Sequence, residues 1–285
     1  MRILVTGAKG RLGSAIVDRL SEDDVIATDV EELDISDFYA VNALLRETKP
    51  DCVIHSAAMT DVDACARMPE KAIEINSFGS QHLAIVSAEL GIPMLHISSN
   101  EVFPGRKPDG YRESDMTEAV NPYAYSKWAG EKAVQTHNPR HWIVRTSWLF
   151  AHGGKNFIQA ILKAAEAGKA LRVVTNEVAN PTYNDDLADA VVKLIRIPRY
   201  GIYHLVNEGF CSRYRFAQYL LAQAGYESIK IEAISASEWQ RDSIPPEYAG
   251  LINQAGKHIG IQLRPWQDAV DAYLKKESLF VSKAN

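Results

Sequence analysis

Hydrophobic and polar positions follow two alternating periods along the first half of the chain, and each period predicts a different element. Short apolar runs rich in β-branched residues are typical of buried strands, and they occur at residues 2–6, 25–28, 52–55, 94–97 and 142–145. Between them, apolar residues recur every three or four positions, as on one face of a helix. This spacing predicts helices over residues 12–20, from an N-cap at Ser36 to Leu45, from Pro69 to Leu90, and from Tyr123 to Val134. The alternation predicts an α/β fold with a doubly wound parallel sheet.

A glycine-rich loop joins the first predicted strand to the first helix. Its glycines are spaced G-x-x-G-x-x-G, which allows a tight turn and close approach of the backbone to a ligand. The N-terminus of the following helix offers free N–H groups to a pyrophosphate. We therefore predict a Rossmann-like dinucleotide site in which the loop and helix start bind the cofactor through Gly7, Gly10, Arg11, Leu12 and Gly13.

Asp29 ends the second predicted strand, 22 residues after Gly7 (29 − 7). A carboxylate at this position can accept a hydrogen bond from the adenosine ribose and would repel a 2′-phosphate. Lys9 and Arg11 could attract a 2′-phosphate or the pyrophosphate, or simply be solvated. The choice between NAD and NADP therefore stays open at this point.

The regular alternation of predicted strands and helices ends in the second half of the chain. Helices are predicted over residues 156–167, 184–197 and 215–224, and strands over residues 171–174 and 203–206, with no repeat or linker. We predict that residues 1–150, with roughly 183–207, form the dinucleotide-binding domain. Residues 151–182 and 208–285 then form a smaller C-terminal α/β substrate lobe, with the site between the two parts.

Tyr123 and Lys127 form a Y-x-x-x-K pair on a predicted helix. Residues four apart share a helical face, so their side chains can project together. A lysine beside a phenol should lower the pKa of the phenol, which suits proton transfer. The spacing is common by chance in exposed helices, but the dinucleotide loop in the same chain favours the functional interpretation.

The fourth predicted strand ends in Ser98-Ser99-Asn100, at the edge of the sheet where a substrate would lie. A hydroxyl there could donate a hydrogen bond to a substrate carbonyl, although Ser and Asn are also common in ordinary turns. The spacing alone does not choose between Ser98 and Ser99.

Composition narrows the class of protein further. The chain has 285 residues, a net charge of −5 and no basic cluster, which disfavours a nucleic-acid polymer as partner. It has neither an apolar run of about 20 residues nor a signal-peptide pattern, so we expect no membrane span. Three widely spaced cysteines, with no C-x-x-C pair, favour reduced thiols in a cytoplasmic protein over a metal site or a disulfide at these residues.

Taken in order, these motifs make the chain resemble an extended short-chain dehydrogenase/reductase, and within it the dTDP-4-dehydrorhamnose reductase family. Further segments extend the likeness over roughly residues 1–220: an adenine-side segment at 33–37 containing Asp34 and Ile35, and an alanine-rich cofactor turn containing Ala57, Ala58 and Thr60. The others are Gly130-Glu131, the 144–150 and 154–157 segments, and Pro181-Thr182-Tyr183.

The resemblance implies reduction of the 4-keto group of a dTDP-6-deoxy sugar, with NADPH or NADH as hydride donor. Tyr123 would supply the proton, Ser99 would polarise the carbonyl, and Lys127 would hold the nicotinamide ribose. Trp148 would lie near the sugar, although core packing explains a tryptophan there equally well. Asn100 would face the sugar, and Asn156 would either reach the substrate or cap a helix. Members of the family sometimes form a homodimer supported by magnesium through surface glutamates, so a homodimer with Mg at its interface is a further expectation.

The chain also departs from the family pattern. Asn100 replaces an acidic residue and is followed by Glu101, and Asn176-Glu177 replaces Asp-Gln. The C-terminal segment 244–251 lacks the arginine that the family places in an Arg-Pro…Ser-x-Leu motif, a natural partner of a diphosphate. Arg172 or Arg213 could substitute for it.

Two alternatives therefore stay open from the sequence. The first is a reductase or epimerase that acts on another nucleotide sugar. The second is a non-catalytic, cofactor-binding regulatory subunit, like a relative of this family that associates with methionine adenosyltransferase. The presence of both Tyr123 and Lys127 argues against the second, since a regulator need not keep them.

Overall fold

The central feature of the fold is a six-stranded parallel sheet, seen in a computed structural model that describes residues 1–153 and 156–279. Its strands run β10-β5-β4-β3-β1-β2 across the sheet, and every neighbouring pair is parallel. Their bounds are β1 Arg2–Thr6, β2 Asp24–Thr28, β3 Cys52–His55, β4 Met94–Ser99, β5 His141–Thr146 and β10 Gly201–His204. The strand order reverses beside β1, and ligands of such sheets bind outside the carboxyl ends of the strands at this point. The predicted doubly wound parallel sheet is confirmed.

Helices cover both faces of this sheet. Ile3 and Val5 pack beneath α1 on one face, while Leu4, between them in sequence, packs into the core on the other face. The helices are α1 Arg11–Arg19, α2 Phe38–Thr48, α3 Val62–Arg67, α4 Pro69–Ile73, α5 Gly79–Glu89, α6 Pro122–His137 and α8 Asn184–Leu194. The helix predicted from Pro69 to Leu90 is interrupted by a π-helical turn at Glu74–Phe78.

The start of α2 corrects one prediction. Ser36 was predicted as the N-cap, but Asp37 caps the helix by accepting hydrogen bonds from the amides of Tyr39 and Ala40. Ser36 instead donates to the carboxylate of Asp34 through its hydroxyl, at 2.7 Å. A carboxylate accepts two amide bonds at once, so aspartate one residue later satisfies more of the free helix donors.

The remaining elements lie mostly in the second half of the chain, around a separate apolar core containing Phe150, Phe216, Trp266 and Tyr273. Three pairs of short strands contribute: β6 Leu149–Phe150 with β9 Thr182–Tyr183, β7 Leu171–Val174 with β12 Ile231–Ile234, and β8 Val178–Ala179 with β11 Cys211–Ser212. The helices are α7 Phe157–Glu166, α9 Arg213–Gln223, α10 Ala255–His258 and α11 Trp266–Lys276. β10 joins the central sheet and α8 packs on α1, while the exact domain boundaries stay a prediction.

One segment of the second half, residues 241–251, returns to the sheet and is called here the return segment. The amide of Ser243 donates to the Asp63 carboxylate at 3.0 Å, and the side chains of Asn121 and Asn100 donate to Ile244 and Ala249 carbonyls at 3.1 and 3.2 Å. These bonds close one side of the space at the carboxyl ends of the strands. No helix within residues 1–153 and 156–279 is long and apolar enough to cross a bilayer.

Candidate active site

A cleft of about 1040 Å³ lies at the carboxyl ends of the parallel strands. Its lining contains every predicted cofactor, catalytic and substrate residue except Asn156: Gly7, Gly10, Arg11, Leu12, Gly13, Asp29, Asp34, Ile35, Ala57, Ala58, Thr60, Ser99, Asn100, Tyr123, Lys127 and Trp148. The sequence motifs, which are spread over more than a hundred residues, therefore meet in one cleft.

The glycine loop is shaped for close backbone packing. Gly7 has a φ of +68°, and a Cβ there would lie 2.6 Å from the Ala57 nitrogen. A Cβ on Gly13 would lie 2.0 Å from the Gly7 carbonyl oxygen. Gly10 is the N-cap of α1, so no side-chain cap covers the start of this helix. This cradle fits the pyrophosphate of a dinucleotide.

Acidic side chains surround the far end of the cleft, beyond β2. The Asp29 carboxylate accepts hydrogen bonds from the amides of Lys9 and Val30, both at 2.9 Å. The Lys9 ammonium pairs with Glu31 at 2.5 Å and with Glu32 at 2.7 Å, and these partners raise its pKa. Lys9 is therefore already neutralised by two carboxylates, which weakens the case for its attracting a 2′-phosphate.

α6 presents Tyr123, Lys127 and Glu131 on one face, at intervals of four residues. The helix starts at Pro122, and Asn121 caps it by accepting a hydrogen bond from the Ala124 amide at 2.8 Å. Lys127 is only 3% exposed, and burial lowers its pKa to about 8 although the Glu131 carboxylate acts in the opposite direction. The lysine therefore still carries its proton at neutral pH.

The prediction that Lys127 lowers the pKa of Tyr123 is wrong. Burial raises this pKa above its ordinary value, and the nearby Glu101 carboxylate raises it further, while the Ser99 hydroxyl lowers it. Desolvation disfavours the phenolate, so Tyr123 holds its proton firmly at neutral pH. A neutral phenol is the form that can donate a proton.

The two serines at the end of β4 have different roles in the structure. The Ser98 hydroxyl donates to Glu131 at 2.5 Å, and Glu131 in turn binds Arg145 at 2.9 and 2.7 Å. Ser99 accepts from the Glu101 amide at 3.2 Å and interacts with the Tyr123 phenol. Of the two serines, Ser99 is therefore the one beside the tyrosine.

Trp148 lines both this cleft and a second, adjoining cavity of about 580 Å³. Its backbone φ of +40° is unusual for a bulky residue, a type of strain often found at functional sites. The Arg213 guanidinium stacks on its ring, with 3.6 Å between the guanidinium carbon and the ring centroid. The tryptophan therefore lies at the boundary of two cavities and not in a closed core.

Asn156 and Asn100 both make structural contacts. Asn156 lines the second cavity, and it caps α7 by accepting from the Gln159 amide at 3.0 Å. Asn100 accepts a long hydrogen bond from Ser99 and anchors the return segment at Ala249. Gly154 and Lys155, part of the 154–157 segment, lie outside the described residues.

Arg241 and the ion pair between Glu131 and Arg145 are site features that the sequence did not predict, although Glu131 and Arg145 lie in segments that resemble the family. Their partners are distant in sequence: Arg241 contacts Asp63, and Arg145 contacts Glu131. Glu101 did give a signal in the sequence, because it follows Asn100 at a departure from the family pattern. Within the described part of the chain, no group of three or more His, Cys, Asp or Glu side chains is placed to hold a metal ion.

The parallel sheet, the glycine cradle and the tyrosine–lysine pair define a Rossmann-type oxidoreductase of the extended short-chain dehydrogenase/reductase class. The family model described as RmlD substrate binding domain matches residues 1–279. The chain belongs to this family.

Similar proteins agree with this assignment over nearly the whole length. The spore coat polysaccharide biosynthesis protein SpsK of Bacillus subtilis is 37% identical, with 97% of this chain and 98% of that protein covered. A dTDP-4-dehydrorhamnose reductase structure from Clostridium acetobutylicum is 34% identical, with a TM-score of 0.94 and coverage of 98% and 100%. One from Bacillus anthracis, in complex with NADP, is 31% identical, with a TM-score of 0.93 and coverage of 96% and 99%.

Proposed function

We propose that the protein reduces the 4-keto group of a dTDP-6-deoxy sugar, in the manner of dTDP-4-dehydrorhamnose to dTDP-rhamnose, with NADPH or NADH. The observation that carries the proposal is the meeting of Ser99, Tyr123 and Lys127 in the same cleft as the glycine cradle. The names of the full-length relatives support the substrate, and the NADP in the Bacillus anthracis structure supports the cofactor.

The reduced dinucleotide supplies a hydride to the keto carbon when it is bound. Ser99 donates a hydrogen bond to the keto oxygen and polarises the carbonyl. Tyr123, held neutral by its raised pKa, donates its proton to that oxygen as negative charge develops there. The protonated Lys127 binds the hydroxyls of the nicotinamide ribose.

The test uses a dTDP-4-keto-6-deoxy sugar with NADPH or NADH and follows the loss of reduced-nicotinamide absorbance. Tyr123→Phe should lower kcat by at least about a hundredfold, the usual contribution of a general acid, with coenzyme binding retained. Tyr125→Phe is the matched control, since Tyr125 lies on the same helix and is 52% exposed.

Three results would contradict parts of this proposal. Full activity in Tyr123→Phe would remove the tyrosine as proton donor. Turnover only with a different nucleotide sugar would correct the substrate. Coenzyme binding without turnover of any keto sugar would favour a regulatory subunit. A cytoplasmic location and a homodimer with magnesium at its interface are further parts of the proposal, to be tested by fractionation and by sedimentation with and without the metal.

A further inference from the structure

Arg213 is a cation whose hydrogen-bonding groups are largely unused by the protein. Its guanidinium carbon lies 3.6 Å from the centroid of the Trp148 ring and 5.1 Å from that of Phe157. Its charged partner is Glu177, at 3.7 Å, which is longer than a hydrogen bond. Within residues 1–153 and 156–279 it donates no side-chain hydrogen bond, although a guanidinium carries five N–H groups. Burial lowers its pKa to about 10, so it remains charged at neutral pH.

Arg241, in the return segment, reaches the same place from the other side. It donates one hydrogen bond to Glu177, at 3.2 Å, and lies 3.8 Å from the Asp63 carboxylate. Its Nε is buried and without a hydrogen-bond partner in the described residues. Buried donors of this kind normally have partners, and an unsatisfied one costs about 1–3 kcal/mol. Arg213 and Arg241 thus both lie beside the buried Glu177, and each has N–H groups without a hydrogen-bond partner among the described residues.

Both arginines line the second cavity, which adjoins the active-site cleft. Arg11, Trp148 and Leu149 line both spaces, so a single elongated ligand can extend from one to the other. The positive charge of both arginines also acts on Glu101, a neighbour of Tyr123. In a nucleotide sugar one sugar ring separates the keto carbon from the diphosphate. The arginines therefore lie on the side of the cleft where the diphosphate would follow the sugar.

Residues 244–251 lack the arginine of the family motif, and Pro245 and Pro246 occupy this part of the chain. Arg172, one candidate to replace it, is half exposed and lies near Glu232 and Glu238 on the outer surface, at 3.6 and 3.5 Å. Arg213 and Arg241 instead share Glu177, whose side chain is only 7% exposed. The cation pair built into the wall of the second cavity is therefore the better replacement.

We propose that Arg213 and Arg241 together bind the diphosphate of the nucleotide-sugar substrate. This inference rests on the proposed function and deepens it by assigning the residues that recognise the anionic part of the substrate. Glu177 accepts a hydrogen bond from Arg241 and lies 3.7 Å from Arg213, which leaves the remaining N–H groups of both arginines to form paired bonds with phosphate oxygens. The Trp148 ring beneath Arg213 fixes its plane through a cation–π contact.

The test compares binding of deoxythymidine diphosphate with binding of deoxythymidine, by isothermal titration calorimetry on the full chain. Arg213→Gln and Arg241→Gln should each weaken diphosphate binding about 10–100-fold, the usual value of a hydrogen bond to a charged group. Binding of deoxythymidine, which has no phosphate, should change less than about twofold. Arg215→Gln is the matched control, since Arg215 lies on α9 but is exposed and outside the cavity lining.

Unchanged diphosphate binding in both variants would overturn the inference, as would an equal loss of deoxythymidine binding, which would indicate an effect on packing. If Arg213→Gln fails to fold, Arg241→Gln carries the test, because Arg241 lies in a loop. The reductase assay is read separately at saturating keto sugar. Absence of turnover in the unmodified protein would contradict the proposed function, while a diphosphate-specific loss of binding would still support the role of the arginines.

Discussion

Replacing Glu131 with glutamine removes one charge from a buried ion pair behind Tyr123 and Lys127. Glu131 and Arg145 are 0% and 2% exposed, and their two hydrogen bonds measure 2.9 and 2.7 Å. Breaking a buried pair by removing one partner costs about 3–5 kcal/mol, because the other charge stays buried without compensation. The Nη1 of Arg145 already lacks a hydrogen-bond partner in the described residues, so the guanidinium has no other group to replace the lost carboxylate charge there. We expect Glu131→Gln to lose about this much free energy of unfolding.

The pair Arg46–Glu89 provides the matched comparison. It is also close, at 2.5 Å, but both side chains are 50% exposed. A pair in water contributes about 0–1 kcal/mol, so Glu89→Gln should be nearly neutral. Urea unfolding of both variants at pH 7, followed by circular dichroism, measures the difference. Equal losses of stability in the two variants would refute the argument that burial makes the Glu131 pair important.

The same substitution should also change the active site. The Glu131 carboxylate raises the pKa of Lys127, so its loss should move that pKa further below 8. The fall in activity on the alkaline side should then begin at lower pH in Glu131→Gln. An unchanged pH profile in the folded variant would mean that Glu131 has no electrostatic influence on Lys127.

Further predictions concern the cofactor end and the pH dependence. Because burial lowers the pKa of Lys127 to about 8, activity should fall as pH rises through this value, and a flat profile from pH 7 to 9 would contradict this. The folded protein loses the Lys127 proton near pH 8, whereas the unfolded chain keeps it up to the ordinary pKa of lysine. Between these two values the unfolded chain binds more protons, so this lysine makes the free energy of unfolding rise with pH. Asp29→Asn should shift the ratio of kcat/KM for NADPH over NADH upward by about tenfold, through removal of a charge near the 2′ position. An unchanged ratio would place Asp29 away from the ribose. Gly13→Ala should weaken binding of reduced coenzyme at least about tenfold in a fluorescence titration, because its Cβ would lie 2.0 Å from the Gly7 oxygen. The neighbouring exposed Ser14→Ala should bind normally, and equal affinities would show that the loop can adjust.

The sequence predicted those parts of the fold that depend on local patterns. Strand β1, the glycine loop and the Y-x-x-x-K pair each lie within a few residues, so periodicity and turn chemistry are sufficient to find them. Spacing alone did not choose between Ser98 and Ser99, because the choice depends on Glu131, 33 residues from Ser98, and only the family resemblance pointed to Ser99. Asp37 displaced Ser36 as N-cap because two adjacent residues competed for the same donors.

The pKa of Tyr123 was mispredicted for a related reason. The spacing of Tyr123 and Lys127 is visible in the sequence, but the burial of the phenol and the position of Glu101 are not. Arg241 was missed because its partners, Asp63 and Glu177, come from two other parts of the chain. Electrostatics at this site is set by long-range packing, which a single sequence does not display.

The return segment gives the molecule a mechanical connection between recognition and chemistry. It carries Arg241 toward the proposed diphosphate site and is tied to Asn100 and Asn121, the immediate neighbours of Ser99 and of the start of the Tyr123 helix. Energy gained from the phosphate end of a ligand can thereby be used to align groups at the keto end. A truncated keto sugar without its nucleotide would then react slowly even when it saturates the cleft. It has no diphosphate to bind Arg241, so the return segment would not be held in the position that aligns the active site.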